Sequence, residues 1–527
     1  MAAHMDVVHQ FIDATATTPL AVQLPLLLLF IVPLILLLHL HVASRNRKHQ
    51  KKPLPPSPPA LPVIGHLLLV GDLPHVSLRD LAAKHDHGGG LMLLRLGAVQ
   101  NLIVSSPHAA QAVLRTHDHV FASRPASTLV DRLVYGSSSV GFAPYGEHWR
   151  QVRKLVTTHL LSVRKVNIFH IARQEEVRLV IAKLRETTAV GAEVDISEIV
   201  NAFANDIVCR AVCGKFFRAE GRNKLFRELN HITTVLIAGF NVEEYFPGLS
   251  KFLGVFTRFT SNKANQTHKR WDRLLEEIIS DHERRRSSEH GHGAGGEFEQ
   301  EETRVRYHKR SYQGHLDDFF QDMFEAGTAT STLVLEFAMV ELMRNPRLMA
   351  KLQAEVRNMT PKGQEMVKEE NLPSMIYLRA VVKETLRLHP PAPLLVPHKS
   401  MADCDIGGYT IPSGTRVIIN TWAICRDPKS WENADEFMPE RFMNDGSAVD
   451  IDLKGNDFQF IPFGAGRRMC PGINFGLATI NIMLANLMYC FDWTLPAGMV
   501  DDDIDMTEVF GLTVHRKEKL ILVPKTT

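Results

Sequence analysis

The run Phe463-Gly464-Ala465-Gly466-Arg467-Arg468-Met469-Cys470-Pro471-Gly472 sets one cysteine at the entrance to a long apolar stretch. A thiolate there can ligate a metal: the partial positive charge of a helix N-terminus favours it, and Pro471 suits the first helical position, where no backbone donor is needed. The glycines at 464, 466 and 472 let the backbone approach something flat and bulky. Arg468, two residues before the sulfur, can pair with a carboxylate of the same bound group. Taken alone, a buried free cysteine ahead of a core helix accounts for Cys470 as well.

Three further groups have chemical potential. Trp149 and Arg153 lie four apart, on one face of a helix expected to run to about Leu161; alone they describe an amphipathic surface helix with an aromatic anchor. Ala326-Gly327-Thr328-Ala329-Thr330-Ser331 falls inside a strongly apolar helix expected from Leu316 to Met343, where glycine and hydroxyl residues are poor choices for helix stability. Glu384 and Arg387 lie three apart before the pair Pro390-Pro391, and exposed pairs of that kind are worth under about 1 kcal/mol.

The spacing Phe-x-x-Gly-x-Arg-x-Cys-x-Gly resembles the haem-ligand loop of the cytochrome P-450 monooxygenases. The Trp-x-x-x-Arg, Glu-x-x-Arg and Pro439-Glu440-Arg441-Phe442 motifs stand in that family's order. The resemblance covers essentially all of the chain after the apolar stretch that ends near residue 44, and is greatest to plant endoplasmic-reticulum members that act on specialised metabolites. It implies a mainly α fold with small β-sheets around haem b, with Cys470 as axial thiolate and Phe463, Arg468 and Gly472 in its loop. Trp149, Arg153 and His398 would bind the haem propionates. Gly327 would leave room for oxygen, and the Thr330 hydroxyl would help deliver protons to it. Glu384, Arg387 and Arg441 would form a buried structural triad. The substrate pocket would include Gly327, Leu394, Leu395, Val396, Phe510 and Leu512, and its mainly apolar lining suits a small apolar metabolite. Electrons would come from NADPH through a flavoprotein reductase docked on the cationic proximal face. One oxygen atom would enter a C–H bond and the other leave as water.

Two departures from the family pattern stand out. Ala329 occupies the place of the usual acid, and the polar run at residues 304–324 replaces the apolar segment that plant members usually carry before this helix. Two alternatives therefore stay open: a haem-thiolate isomerase or dehydratase, and a haem-binding relative with little or no turnover.

The elements that must position these groups follow from the rest of the chain. With 527 residues, formal net charge +2 and an ordinary apolar share, the chain can bury a large core, and nothing marks it as a nucleic-acid binder. Its six cysteines are too scattered for a disulfide framework, which fits a reducing compartment. Cys209 and Cys213 read as core, and metal capture by His282, His290 and His292 is a weak alternative to a polar surface loop over residues 284–304.

The stretch from Pro19 to Leu40 is almost wholly apolar, and Arg45, Arg47, Lys48, Lys51 and Lys52 follow it. That pattern predicts a single-pass membrane anchor with its C-terminal side in the cytosol, in the endoplasmic reticulum. Residues 1–44 are expected as lumenal tail and anchor, 45–62 as a basic, Pro-rich hinge, and 63–527 as the catalytic domain. A hairpin is expected from Leu91 to Val104 about Gly97, loop from Arg124 to Val140, and short strands at Tyr409–Ile411 and Thr415–Ile419.

Overall fold

The computed structural model describes residues 52–134, 138–189, 191–213, 222–238, 241–246, 254–289 and 309–527. The expected anchor lies outside the described residues, as do His290, His292 and the side chain of His282.

The expected hairpin forms: β1 (Leu91–Leu96) and β2 (Val99–Val104) pair antiparallel about Gly97, which takes φ 60°. A Cβ at Gly97 would meet the Tyr245 carbonyl at 2.4 Å, so glycine is required there for packing as well as for the turn. The hairpin extends into one sheet in the order β1-β2-β7-β4, where β7 (Arg416–Ile419) runs parallel to β2 and β4 (His398–Lys399) closes the edge. His398 thereby sits on a sheet margin with its side chain buried. Three smaller sheets surround this one. One joins β3 (Val194–Asp195), β11 (Ile521–Thr526) and β8 (Phe491–Thr494); a second pairs β5 (Cys404–Ile406) with β6 (Tyr409–Ile411). The third pairs β9 (Glu508–Val509) with β10 (His515–Arg516), leaving Phe510 and Leu512 in the turn between them.

Ten helices carry most of the rest: α1 (Thr128–Leu133), α2 (Glu147–Leu155), α3 (His170–Ala189), α4 (Ile196–Cys213), α5 (Arg222–Ala238), α6 (Gly254–Glu289), α7 (Lys309–Arg344), α8 (Pro346–Met359), α9 (Ile376–Leu388) and α10 (Ile473–Cys490). The C-terminal half of α7, together with α9 and α10, forms the centre of the main core. Leu333–Met343 is buried almost without interruption, as a helix apolar on every side must be. α10 is long and apolar enough to cross a membrane by composition, but it is mostly buried within the fold.

Four expectations shift. α1 interrupts the expected loop, started by the Ser127 hydroxyl, which accepts from the Val130 N–H at 3.1 Å as an N-cap. α6 continues to Glu289, so the expected loop over 284–304 begins as helix. α7 begins at Lys309, earlier than Leu316, since a lone Gly314 costs only about 1 kcal/mol in a helix interior. α10 begins at Ile473 with Gly472 as its cap, so Pro471 precedes the helix rather than opening it.

Candidate functional site

The cysteine loop is built from its own backbone. The Cys470 N–H donates to the Phe463 carbonyl at 2.9 Å, folding the ten residues back on themselves before α10 starts. That closure displaces the helix start to Ile473. Gly464 and Gly466 take φ 68° and 66°. A Cβ at Gly466 would come within 2.2 Å of the Leu114 carbonyl, so the neighbouring chain, not a bound group, excludes a side chain there. Burial pushes the Cys470 thiol up, opposed by the Gly472 N–H and by the Arg153 charge.

Cations converge on one side of this loop. Arg468 donates through Nε to the Ala122 carbonyl at 2.7 Å and through Nη2 to that of Ala143 at 2.5 Å, and its guanidinium lies 4.2 Å from the Trp149 ring centroid. Arg153, one turn after Trp149 on α2, donates to the Met469 carbonyl at 2.5 Å and so ties α2 to the cysteine loop. The side chain of His398 reaches the Phe121 carbonyl through Nδ1 at 2.8 Å. Sequence reasoning missed Arg124, which the fold adds: it donates to Gly141 at 3.0 Å, Val396 at 2.6 Å and Pro397 at 2.9 Å. Its only sequence signal is an arginine inside the apolar-flanked loop after Phe121.

The electrostatics of this cluster are unbalanced. Among the described residues, none of Arg124, Arg153 and Arg468 forms a salt bridge, and all three are largely buried. Burial, then the neighbouring Arg468 and Arg153, drives the Arg124 pKa well down. Burial and the adjacent Arg153 lower Arg468 to about 9. Burial first, then the Arg124 charge, depresses His398 well below the usual imidazole range. Such a set is complementary to a ligand bearing carboxylates. With a soft sulfur donor on the same loop, the residues fit the haem that the resemblance implies.

Val140 links this cluster to the opposite wall. Its carbonyl accepts from the Trp149 indole at 3.1 Å and its N–H donates to Asp322 Oδ2 on α7 at 2.8 Å. Along α7, Ala326 is exposed and Ala329 and Thr330 are partly so, although the next two turns are buried. The middle of α7 is thus more accessible than its C-terminal half. The Thr330 hydroxyl donates to the Ala326 carbonyl at 2.6 Å, and Ala329 offers no acid beside it. A Cβ at Gly327 would lie 2.9 Å from Val208 Cγ2, so packing on α4 alone demands glycine. Glu325 accepts from the Gln321 amide at 2.7 Å, and burial pushes its carboxyl up to about 8.

Of the other expected pocket residues, Leu394 packs on the Leu78, Met92 and Ile103 cluster. Leu395, at φ 50°, packs with the Leu91 and Phe458 cluster, and Phe510 stacks on His75 at 6.1 Å. The triad is assembled behind the loop: Glu384 accepts from Arg387 at 2.9 and 2.8 Å and from Arg441 at 3.0 Å, all three fully shielded from solvent. Arg387 also holds the Cys425, Ala434 and Glu436 carbonyls, which pins the segment before Pro439.

The family model described as Cytochrome P450 matches residues 55–523 of the chain. The chain is 52% identical over 471 residues to an indole-2-monooxygenase of Zea mays, covering 89% of this chain and 87% of that protein. It is 50% identical over 490 residues to an indolin-2-one monooxygenase of Zea mays, covering 92% and 91%. To a 3-hydroxyindolin-2-one monooxygenase of Zea mays it is 47% identical over 528 residues, covering 99% and 98%.

Proposed function

Since the chain belongs to the cytochrome P450 family, we propose that it is a monooxygenase that hydroxylates an indole-type bicyclic heterocycle such as indole or indolin-2-one. The haem part of this reading is carried by the convergence of Arg124, Arg153 and Arg468, without a salt-bridged carboxylate among the described residues, beside the loop of Cys470, and the indole part by the similarity to the three Zea mays monooxygenases. Members of the family carry haem b and take electrons from NADPH through a reductase. When bound, the haem supplies activation of molecular oxygen, one atom of which enters the substrate while the other leaves as water.

The residues of the chain do the rest. Cys470 holds the iron as thiolate, with the Gly472 N–H and the Arg153 charge offsetting the burial that otherwise favours the thiol. The three guanidiniums would hold the propionate carboxylates, while Trp149, whose one N–H is given to the Val140 carbonyl, would support Arg468 through its ring, and Phe463 closes the loop through its carbonyl. His398 already donates from Nδ1, so its Nε2 gains a proton only as imidazolium; a carboxylate beside it raises its pKa and recruits it as a further donor. Thr330 keeps a hydroxyl proton on the α7 wall, with Gly327 holding the helix against α4. Leu394, Leu395, Phe510 and Leu512 exclude water around the substrate. Glu384, Arg387 and Arg441 are structural.

Residues 1–44 serve as tail and anchor, 45–62 as hinge and 63–527 as the catalytic domain on the cytosolic face of the endoplasmic reticulum. The apolar run from Pro19 to Leu40 and the cations after it support this.

Reduced protein under carbon monoxide tests the assignment: the red-shifted Soret band of thiolate-ligated haem is expected, lost in Cys470→Ala. A histidine-type band in the wild-type protein overturns it. Hydroxylation of indole or indolin-2-one that needs NADPH, reductase and oxygen is the matching activity, and its absence with both compounds removes the substrate assignment.

A further inference from the structure

The wall of α7 carries a polar pair that the reading above does not use. Gln321, 1% exposed, donates its amide to the Leu133 carbonyl at 3.2 Å and to Glu325 Oε1 at 2.7 Å. Both donor sites of that amide are thereby engaged, and its Oε1 finds no partner among the described residues. Glu325 is one helical turn before the partly exposed Ala329, so the two share a side of the helix. It is only partly shielded, although burial dominates its environment. The Gln321 bond to the Leu133 carbonyl brings α1 beside this turn of α7, where Leu129 and Leu133 pack with Leu236 of α5.

We propose that Glu325 is the specificity determinant of the pocket, reading the edge of a cyclic secondary amide in which N–H and C=O lie side by side. A neutral carboxyl is complementary to that edge. Its O–H donates to the lactam carbonyl while its other oxygen, already bonded to Gln321, still has a lone pair for the lactam N–H. A bare indole offers only the N–H and makes half of the contact. The proposal rests on the indole-type reading and narrows it to the lactam members of that class.

The carboxyl must be protonated to donate. Its pKa is raised to about 8, by burial first and then by the charge of Asp322, while Gln321 opposes the shift. Asp322, on the same helix, is itself raised to about 7 and is held by the Val140 N–H. From α1, Asp131 is exposed and Arg132 is turned to Glu243 and Ser261; from α5, Asn230 meets the Phe324 carbonyl and His231 is exposed. The donor form therefore dominates below about pH 8, and lactam affinity falls above it.

Titration of the haem-loaded full chain by substrate-induced spectral shift tests this, with indolin-2-one against indole, and quinolin-2-one against naphthalene. Glu325→Leu is expected to weaken each lactam about tenfold, the worth of roughly 1.4 kcal/mol of hydrogen bonding, with about a threefold change for indole, which keeps only the N–H contact, and none for naphthalene. Glu325→Gln, whose amide offers the same donor and acceptor pair, is expected to keep lactam binding and to remove its fall at alkaline pH. Equal losses for lactam and non-lactam in Glu325→Leu, or no loss for either, overturn the proposal. Silence of the indole pair with a lactam preference in the second pair defeats the indole-type reading and leaves Glu325 its role. Silence of all four defeats both.

Discussion

The two walls of the site are held by opposite means. On the cysteine side, the loop closes on its own backbone, guanidiniums fasten the surrounding carbonyls, and the triad behind it satisfies one carboxylate with two arginines. On the α7 side, two carboxyls sit with raised pKa values, and the Gln321 Oε1 and Thr328 Oγ1 atoms lack partners among the described residues. The first wall is built for rigidity. The second keeps polar groups in reserve, which is the arrangement expected where a substrate supplies the missing partner.

Substitutions can break this contrast, and the largest effect belongs to the triad. Arg387→Met leaves the Glu384 charge only Arg441 as partner in the core, and a loss of about 3–5 kcal/mol is expected in urea unfolding. A loss below about 1 kcal/mol would mean that the triad does not anchor the cysteine wall.

Arg124→Met should separate folding from cofactor retention. The substitution removes a buried, uncompensated charge together with its three carbonyl bonds, so the apoprotein changes by under about 1 kcal/mol while haem transfer to apomyoglobin accelerates about tenfold. Unchanged transfer would detach Arg124 from the site.

The α7 wall predicts a pH signature. Asp322 and Glu325 hold protons in the folded state that the unfolded chain has released, so their contribution to stability is full below about pH 4 and is lost as pH rises towards about 7 and about 8. Urea melts of the apoprotein between pH 5 and 8 should show the decline, and Glu325→Gln should flatten it. A slope unaffected by that change would place the titration elsewhere.

The smallest expected effect on stability is that of Ala329→Asp, under about 1 kcal/mol because the position is partly exposed. Its yield of product per NADPH should rise and its peroxide release fall. An unchanged ratio would show that position 329 does not limit coupling.

Legibility in the sequence followed the same division. The hairpin, α9, α10 and the triad were readable because glycine, proline and charged residues at fixed spacing have few structural meanings. Cys470, Trp149, Arg153 and Arg468 were readable as a set through the resemblance. Arg124 was not, because its role depends on a loop whose carbonyls are brought together only by β4 and α7. For Gly466 the sequence did not show the packing reason, since the Leu114 carbonyl it faces lies far away in the chain. Asp322 was missed for a related reason: its partner is the N–H of Val140, and no spacing rule connects a helix to a loop so distant in sequence.

The contact between Gly327 and Val208 carries a consequence for directed evolution. A side chain at 327 must push the Val208 methyl aside, so substitutions there carry a packing cost before any effect on chemistry is read. Positions 325, 326 and 329 meet no such barrier. Variation confined to those three positions searches substrate preference and oxygen use at little risk to folding, and the alanine at 329 is the kind of change such a search yields.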